Sequence, residues 1–155
     1  VFGTRLTRIT RELRGRDPDL ALRAAAAHVQ DWSGGTRIGD ALRTFNRHWS
    51  RRVLEHGAVV LIISDGWDRG DPALLAAEMA RLQRQSYRLL WLNPLLGAEG
   101  YQPVTQGIVA ALPYVDDFLP VHNLHSLEAL GQLLSQIQDG RPDRRQGHQP
   151  TEGTP

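Results

Sequence analysis

The side chains best placed to do chemistry follow an apolar run. Residues 58–63 are uninterruptedly apolar and rich in β-branched types, which predicts a strand buried on both faces near the centre of a sheet. Directly after it come Ser64, Asp65, Gly66, Trp67 and Asp68. Because sites in open α/β sheets gather at the carboxyl ends of strands, Asp65 is a candidate ligand-binding or catalytic carboxylate. An evenly weighted alternative is that Asp65 and Gly66 simply form a turn and cap the next segment. Asn93, at the end of the next predicted strand, is a further candidate.

A second candidate loop precedes a helix. Its residues are Ser33, Gly34, Gly35 and Thr36. The backbone amides and the helix dipole there could hold an anion. The chain has neither a G-x-G-x-x-G motif nor a lysine, so a nucleotide-binding loop is disfavoured. Taken alone, the loop favours a plainer role, in which Thr36 caps the helix that begins near Ile38.

Composition excludes several classes of site. The chain has no cysteine, and its 18 basic residues are all arginine. Disulfides, thiolate ligands, a P-loop lysine and Schiff-base chemistry are therefore excluded, and a cytoplasmic protein is expected. A net charge of +1 disfavours nucleic acid as a partner, and no apolar run approaches the roughly 20 residues that span a bilayer. None of the six histidines pairs at metal-ligand spacing, so structural or solvated roles are favoured for them.

Helical and strand patterns alternate along the chain. Helices are predicted at 20–30, 38–57, 72–85, 106–112 and 124–137, and strands at 58–63, 87–93 and, weakly, 117–121. Asp17-Pro18 and Asp71-Pro72 predict two helix starts. Residues 1–4 suggest the end of a strand, and therefore that more chain precedes Val1. The alternation predicts an α/β domain with a mostly parallel sheet covered on both faces, followed by a disordered polar tail at 139–155.

Five segments in chain order resemble a known family. They are residues 1–6 (VFGTRL), 31–39 (DWSGGTRIG), 64–66 (SDG), 69–71 (RGD) and 91–94 (WLNP). Together they resemble a von Willebrand factor A (VWA) domain, most closely that of the bacterial CoxE-like proteins. The resemblance implies a three-layer, doubly wound, Rossmann-like VWA fold over residues 1–138, lacking its first strand and helix. Since the family's first strand lies beside the one at 58–63, the chain alone is expected to be poorly stable, with unpaired edges.

The resemblance also implies a metal-ion-dependent adhesion site (MIDAS). In the family, an Asp-x-Ser-x-Ser loop, a threonine and a second aspartate hold Mg²⁺, and a partner carboxylate takes a free position. Thr36 matches the threonine and Asp65 the second aspartate, whereas Asp-x-Ser-x-Ser does not occur in this chain. Weak magnesium binding at best is therefore expected of the chain alone. The expected partner-binding loop residues are Ser33, Gly34, Gly35, Ser64, Gly66, Trp67 and Asp68.

The implied function is binding and not catalysis. CoxE-like proteins are associated with a MoxR-type AAA+ ATPase and with maturation of molybdenum hydroxylases such as carbon monoxide dehydrogenase. By resemblance, the chain is expected to be an adaptor for such partners, with no catalytic residue. Two alternatives stay open: a Rossmann-like enzyme that uses Asp65 as nucleophile or base near Ser64 and Asp68, and a scaffold without metal.

Overall fold

The computed structural model describes residues 1–15, 17–29, 35–55, 57–137 and 151–152. Six α-helices lie in this part of the chain: α1 Pro18–His28, α2 Ile38–His48, α3 Ser50–Val53, α4 Pro72–Gln85, α5 Gln106–Ala111 and α6 Leu124–Gln136. Two 3₁₀ turns, Glu12–Arg14 and Leu112–Tyr114, accompany them. Except for 151–152, the tail predicted to be disordered lies outside the described residues.

The strands form one parallel sheet. They are β1 Val59–Ile63, β2 Arg88–Asn93, β3 Asp117–Pro120 and the two-residue β4 Thr151–Glu152, in the order β1-β2-β3-β4. Every pairing is parallel, and helices connect β1 to β2 and β2 to β3. The predicted α/β class with a parallel sheet is confirmed.

Both predicted helix starts at Asp-Pro are confirmed. The carboxylate of Asp17 accepts from the amides of Asp19 at 2.9 Å and Leu20 at 3.1 Å, and proline follows at the first helical position. Asp71 caps α4 in the same way through the amide of Ala73 at 2.9 Å. These caps are local in sequence, which is why the residue types alone predict them.

The main core lies on one face of the sheet. Ile62, Trp91 and Phe118 are aligned across β1, β2 and β3, and each is at most 4% exposed. Helix α4 brings Leu75, Met79 and Leu82 into the same buried cluster, which also contains Ile38 and Leu42 of α2. The apolar stripes of α2 and α4 therefore fix both helices on this face, with the start of α2 beside the loop after β1.

The strand predicted to be central lies at an edge of the sheet formed by the described residues. Leu61 of β1 is 39% exposed and Ile63 is 60% exposed, so β1 is not buried on both faces. Among the described residues β1 pairs with β2 alone, and it is β2 that is buried, from Leu89 to Asn93. An apolar run predicts a strand but does not decide by itself how far each face is covered, because that depends on neighbours distant in sequence.

Two other boundaries differ from the sequence-based prediction. Residues 1–4 are not a strand of the sheet: Phe2 forms an isolated antiparallel bridge with Leu6, which closes a local turn. The carbonyl of Gly3 accepts from the amide of Arg37 at 2.9 Å, so this turn is attached just before α2. The single helix predicted over 38–57 divides at Trp49 into α2 and α3.

An ion pair joins β2 to β3. Arg88 Nε lies 2.5 Å from Asp117 Oδ2, and Arg88 Nη2 lies 2.7 Å from Asp117 Oδ1. The side chain of Asp117 is 5% exposed and that of Arg88 26%. The hydrogen bond to Asp117 raises the pKa of Arg88, and partial burial opposes that rise. A planar guanidinium suits this two-point contact, which an ammonium could not reproduce.

Candidate functional site

Three loops meet at the carboxyl ends of β1 and β2. They are residues 35–37 before α2, 64–71 after β1 and 94–105 after β2, and we call them the loop face. Ser64 extends the pairing of the strands, because its amide donates to the carbonyl of Leu92 at 3.0 Å. The carbonyl of Ser64 accepts from Trp91 Nε1 at 2.8 Å. The loop after β1 therefore begins at a fixed point above the sheet.

Asp65 lies in a tight turn. Its Oδ1 accepts from the amide of Trp67 at 3.0 Å, and Ser64 Oγ accepts from the amide of Gly66 at 3.1 Å. The turn interpretation of Asp65 and Gly66 is thus correct as local geometry. The turn uses only one oxygen of the Asp65 carboxylate, because Oδ2 accepts no hydrogen bond from the described residues. The same carboxylate can therefore make the turn and bind a ligand.

Thr36 lies beside this loop. Its carbonyl accepts from the amide of Arg69 at 2.8 Å. Gly35 has φ +81°, and a Cβ there would lie 2.8 Å from Cδ of Arg69, so the two segments are in close contact. The cap position of α2 is Arg37 and carries no side-chain cap, so the prediction that Thr36 caps the helix is wrong. Within the described part of the chain, the Thr36 hydroxyl makes no hydrogen bond.

Asp68 joins two parts of the loop face. Its Oδ1 accepts from the amide of Ile38 at 2.9 Å and from that of Gly70 at 3.1 Å. Its Oδ2 is buried without a hydrogen-bond partner among the described residues. The bonded oxygen of Asp68 therefore faces the start of α2, and the contact of Asp68 with a partner stays a prediction.

The loop after β1 is packed on α5. The carbonyl of Gly66 accepts from Thr105 Oγ1 at 3.0 Å, and Thr105 also caps α5. A Cβ on Gly66 would lie 2.2 Å from Cγ1 of Ile108, and one on Gly107 would lie 2.4 Å from the carbonyl oxygen of Gly66. Neither Thr105 nor Gly107 is among the residues that the sequence predicts to lie at the site. A threonine directly before a short helix was the available signal for Thr105.

Asn93 is buried below the loop face, where it holds the loop after β2 in place. It is fully buried, its Oδ1 accepts from the amide of Leu95 at 2.8 Å, and its Nδ2 donates to the hydroxyl of Tyr101 at 2.8 Å. That hydroxyl donates to the carbonyl of Asp65 at 3.4 Å. The chain Asn93, Tyr101, Asp65 therefore supports the turn from the side of β2.

Trp67 is the most exposed aromatic residue of the loop face. It is 66% exposed, and Val104 beside it is 70% exposed. Together with Asp68, Thr105 and Gln106, these two residues line an open cleft of about 360 Å³. The predicted loop residues Ser33 and Gly34 lie outside the described residues.

The match to a family model agrees with this geometry. The model for VWA domain containing CoxE-like protein matches residues 1–127. The chain belongs to this family. No curated protein and no solved structure gives a significant match to the chain. VWA domains mediate protein interactions. Thr36 and Asp65, which the resemblance matches to metal ligands, both lie on the loop face.

The magnesium ion implied by the VWA family can be compared with the oxygen atoms present. Thr36 offers its hydroxyl and Asp65 its Oδ2, and both are oxygen donors of the type that a hard divalent cation prefers. Neither of these two atoms is hydrogen-bonded to a described residue. No group of three or more His, Cys, Asp or Glu residues that could hold a metal occurs in the described ranges. The donor chemistry fits Mg²⁺, but these two residues supply two of the roughly six positions that it requires.

The loop face also bears on the alternative of catalysis by Asp65. Ser64 Oγ accepts from the amide of Gly66 and Asp68 Oδ1 from that of Ile38, and among the described residues neither side chain is hydrogen-bonded to the carboxylate of Asp65. A nucleophile is normally recognised by a base within hydrogen-bonding reach.

None of the helices in the described part of the CoxE-like chain has the length and hydropathy of a membrane-spanning segment.

Proposed function

We propose that this chain is a protein-docking adaptor whose loop face binds a partner carboxylate through Mg²⁺. The observation that carries the proposal is the bond between the Arg69 amide and the Thr36 carbonyl at 2.8 Å, which holds the Thr36 segment against the loop of Asp65. Two uncommitted oxygen donors thereby lie on adjoining segments of one exposed face. Membership in the VWA CoxE-like family supports a role in protein binding.

Each residue has a defined part in this proposal. A bound Mg²⁺ would supply a positive charge and a free coordination position for an acidic side chain of the partner. The Thr36 hydroxyl and Asp65 Oδ2 are the oxygen donors from this chain. Trp67, exposed beside them, gives the partner an apolar contact, and aromatic residues of this kind are enriched at protein interfaces.

The proposed partners are a MoxR-type AAA+ ATPase and a molybdenum hydroxylase client such as carbon monoxide dehydrogenase. What supports them is the CoxE-like family assignment. We expect the chain to couple the two proteins during maturation of the client, working in the cytoplasm and without catalysing a reaction.

Calorimetric titration with Mg²⁺ and Mn²⁺ tests the metal site in the natural full-length chain. We expect Asp65→Asn and Thr36→Val each to weaken binding by at least about 10-fold, since even the loss of an outer-shell group costs that much at metal sites. Glu99→Gln is the matched control, because Glu99 is an exposed carboxylate in the loop after β2. Equal affinities for all four proteins would disprove a site at Thr36 and Asp65.

Binding of the purified ATPase tests the docking role. We expect the complex to form with Mg²⁺ and to be lost in EDTA and with Asp65→Asn. A complex indifferent to EDTA and to that substitution would favour the scaffold without metal. Turnover of a substrate that is abolished by Asp65→Asn would favour the enzyme instead.

A further inference from the structure

We propose that Asp68 is a positioning residue, which sets the place of Thr36 relative to Asp65 by bonding the loop after β1 to the start of α2. Its Oδ1 accepts from the amides of both Ile38 and Gly70, at 2.9 and 3.1 Å. The effect on metal binding rests on the proposed function, whereas the bridge itself does not.

The bridge serves a helix end that lacks a local cap. An α-helix leaves its first amides without intrahelical partners, and the cap position Arg37 offers no side-chain acceptor. Asp68 supplies one from 30 residues away. A carboxylate suits this place because the start of a helix favours negative charge. Since Thr36 lies two residues before Ile38, fixing the Ile38 amide also limits where the Thr36 hydroxyl can lie.

A second bond lies next to the bridge. Arg69 follows Asp68 directly, and its amide donates to the carbonyl of Thr36 at 2.8 Å. Consecutive residues of one loop therefore contact both ends of the segment 36–38. The amide of Arg37, between them, donates to the carbonyl of Gly3 at 2.9 Å, on the side of the segment away from the loop after β1. Loss of the bond to Asp68 therefore leaves the Arg69 amide as the one hydrogen bond from this loop to the segment.

The surroundings of Asp68 restrict this position to a short side chain. Its Oδ2 is buried, so the carboxylate is not available to a partner at the surface. A Cβ on Gly70 would lie 3.2 Å from Oδ2, and one on Gly107 would lie 3.0 Å from the Cβ of Asp68. Two glycines thus leave space for aspartate and for little more. We expect Asp68→Glu to fail to replace it, although the charge is kept.

Amide hydrogen exchange tests the bridge without any metal. In the natural chain, Asp68→Ala should speed exchange at Ile38 and Gly70 by at least about 10-fold, the change expected when roughly 1.4 kcal/mol of local protection is lost. Asp71→Ala is the matched control, because Asp71 caps α4 from the same loop through Ala73 at 2.9 Å. It should leave the Ile38 amide unchanged. Asp68→Asn keeps the volume and one oxygen acceptor, so it should retain much of the protection.

Magnesium titration of the same variants tests the positioning role. We expect Asp68→Ala and Asp68→Glu to weaken binding about 10- to 100-fold, as for other groups that orient metal ligands, and Asp71→Ala to have no effect. Unchanged exchange at Ile38, or equal losses of affinity with Asp68→Ala and Asp71→Ala, would overturn the inference. If the wild-type chain binds no Mg²⁺, the proposed metal site fails. Exchange at Ile38 then decides by itself whether the bridge exists.

Discussion

Replacing Gly66 by alanine tests how tightly the loop after β1 is packed on α5. Gly66 has φ +75°, a left-handed conformation that costs a residue with a Cβ roughly 1–2 kcal/mol. The added methyl would also lie 2.2 Å from Cγ1 of Ile108, which is fully buried. Forced overpacking of this kind typically costs about 1–3 kcal/mol. We therefore expect Gly66→Ala to lower the free energy of unfolding by about 2–5 kcal/mol.

Gly100→Ala separates the cost of the left-handed backbone from the cost of the steric overlap with Ile108. Gly100 has almost the same φ, +74°, but nothing lies within 4 Å of the position of its Cβ. The backbone cost alone applies there, so we expect a loss of roughly 1–2 kcal/mol. The difference between the two variants measures the steric cost of packing Gly66 against α5. Urea denaturation followed by tryptophan fluorescence gives both free energies in the natural chain.

A double-mutant cycle completes the test. Ile108→Ala alone should cost about 2–5 kcal/mol by leaving a cavity. It also removes the atoms that the new methyl would meet, so Gly66→Ala should cost less in that background by about 0.5–3 kcal/mol. Equal losses for Gly66→Ala and Gly100→Ala, or full additivity with Ile108→Ala, would refute the close packing of Gly66 against Ile108. Mg²⁺ is left out of these experiments, so that stability and binding are not mixed.

Two further predictions concern the scaffold. Arg88→Ala should destabilise by about 3–5 kcal/mol because it leaves Asp117, with a side chain 5% exposed, without its counter-ion. Arg84→Ala, an exposed arginine of α4, should change the free energy of unfolding by less than about 0.5 kcal/mol, and similar losses for both would contradict the role given to the ion pair. Gly131→Ala in α6 should stabilise by roughly 0.5–1 kcal/mol, since nothing lies within 4 Å of the added Cβ. A lower urea midpoint for that variant would show that α6 is packed more closely there.

The candidate site could be predicted in part. Asp65 is a candidate because an apolar strand ends just before it, and Thr36 is a candidate metal ligand through the family resemblance. Neither the bond from the Arg69 amide to Thr36 nor the contact of Asp68 with Ile38 could be predicted. Both join residues about 30 positions apart in the chain, and a pattern within one segment carries no information about which distant segment will lie beside it.

The sequence by itself determined which segments form helices and which form strands. The periodicity of α4 and α6, the Asp-Pro starts at Asp17 and Asp71, and the β-branched run of β1 all act over a few residues, so local physics is enough to place them. Only the tertiary structure decided that the turn closed by Phe2 and Leu6 is attached just before α2, and that Asp68 caps α2 across 30 residues. Those outcomes depend on how elements are ordered and packed, which is settled by contacts between segments distant in the chain.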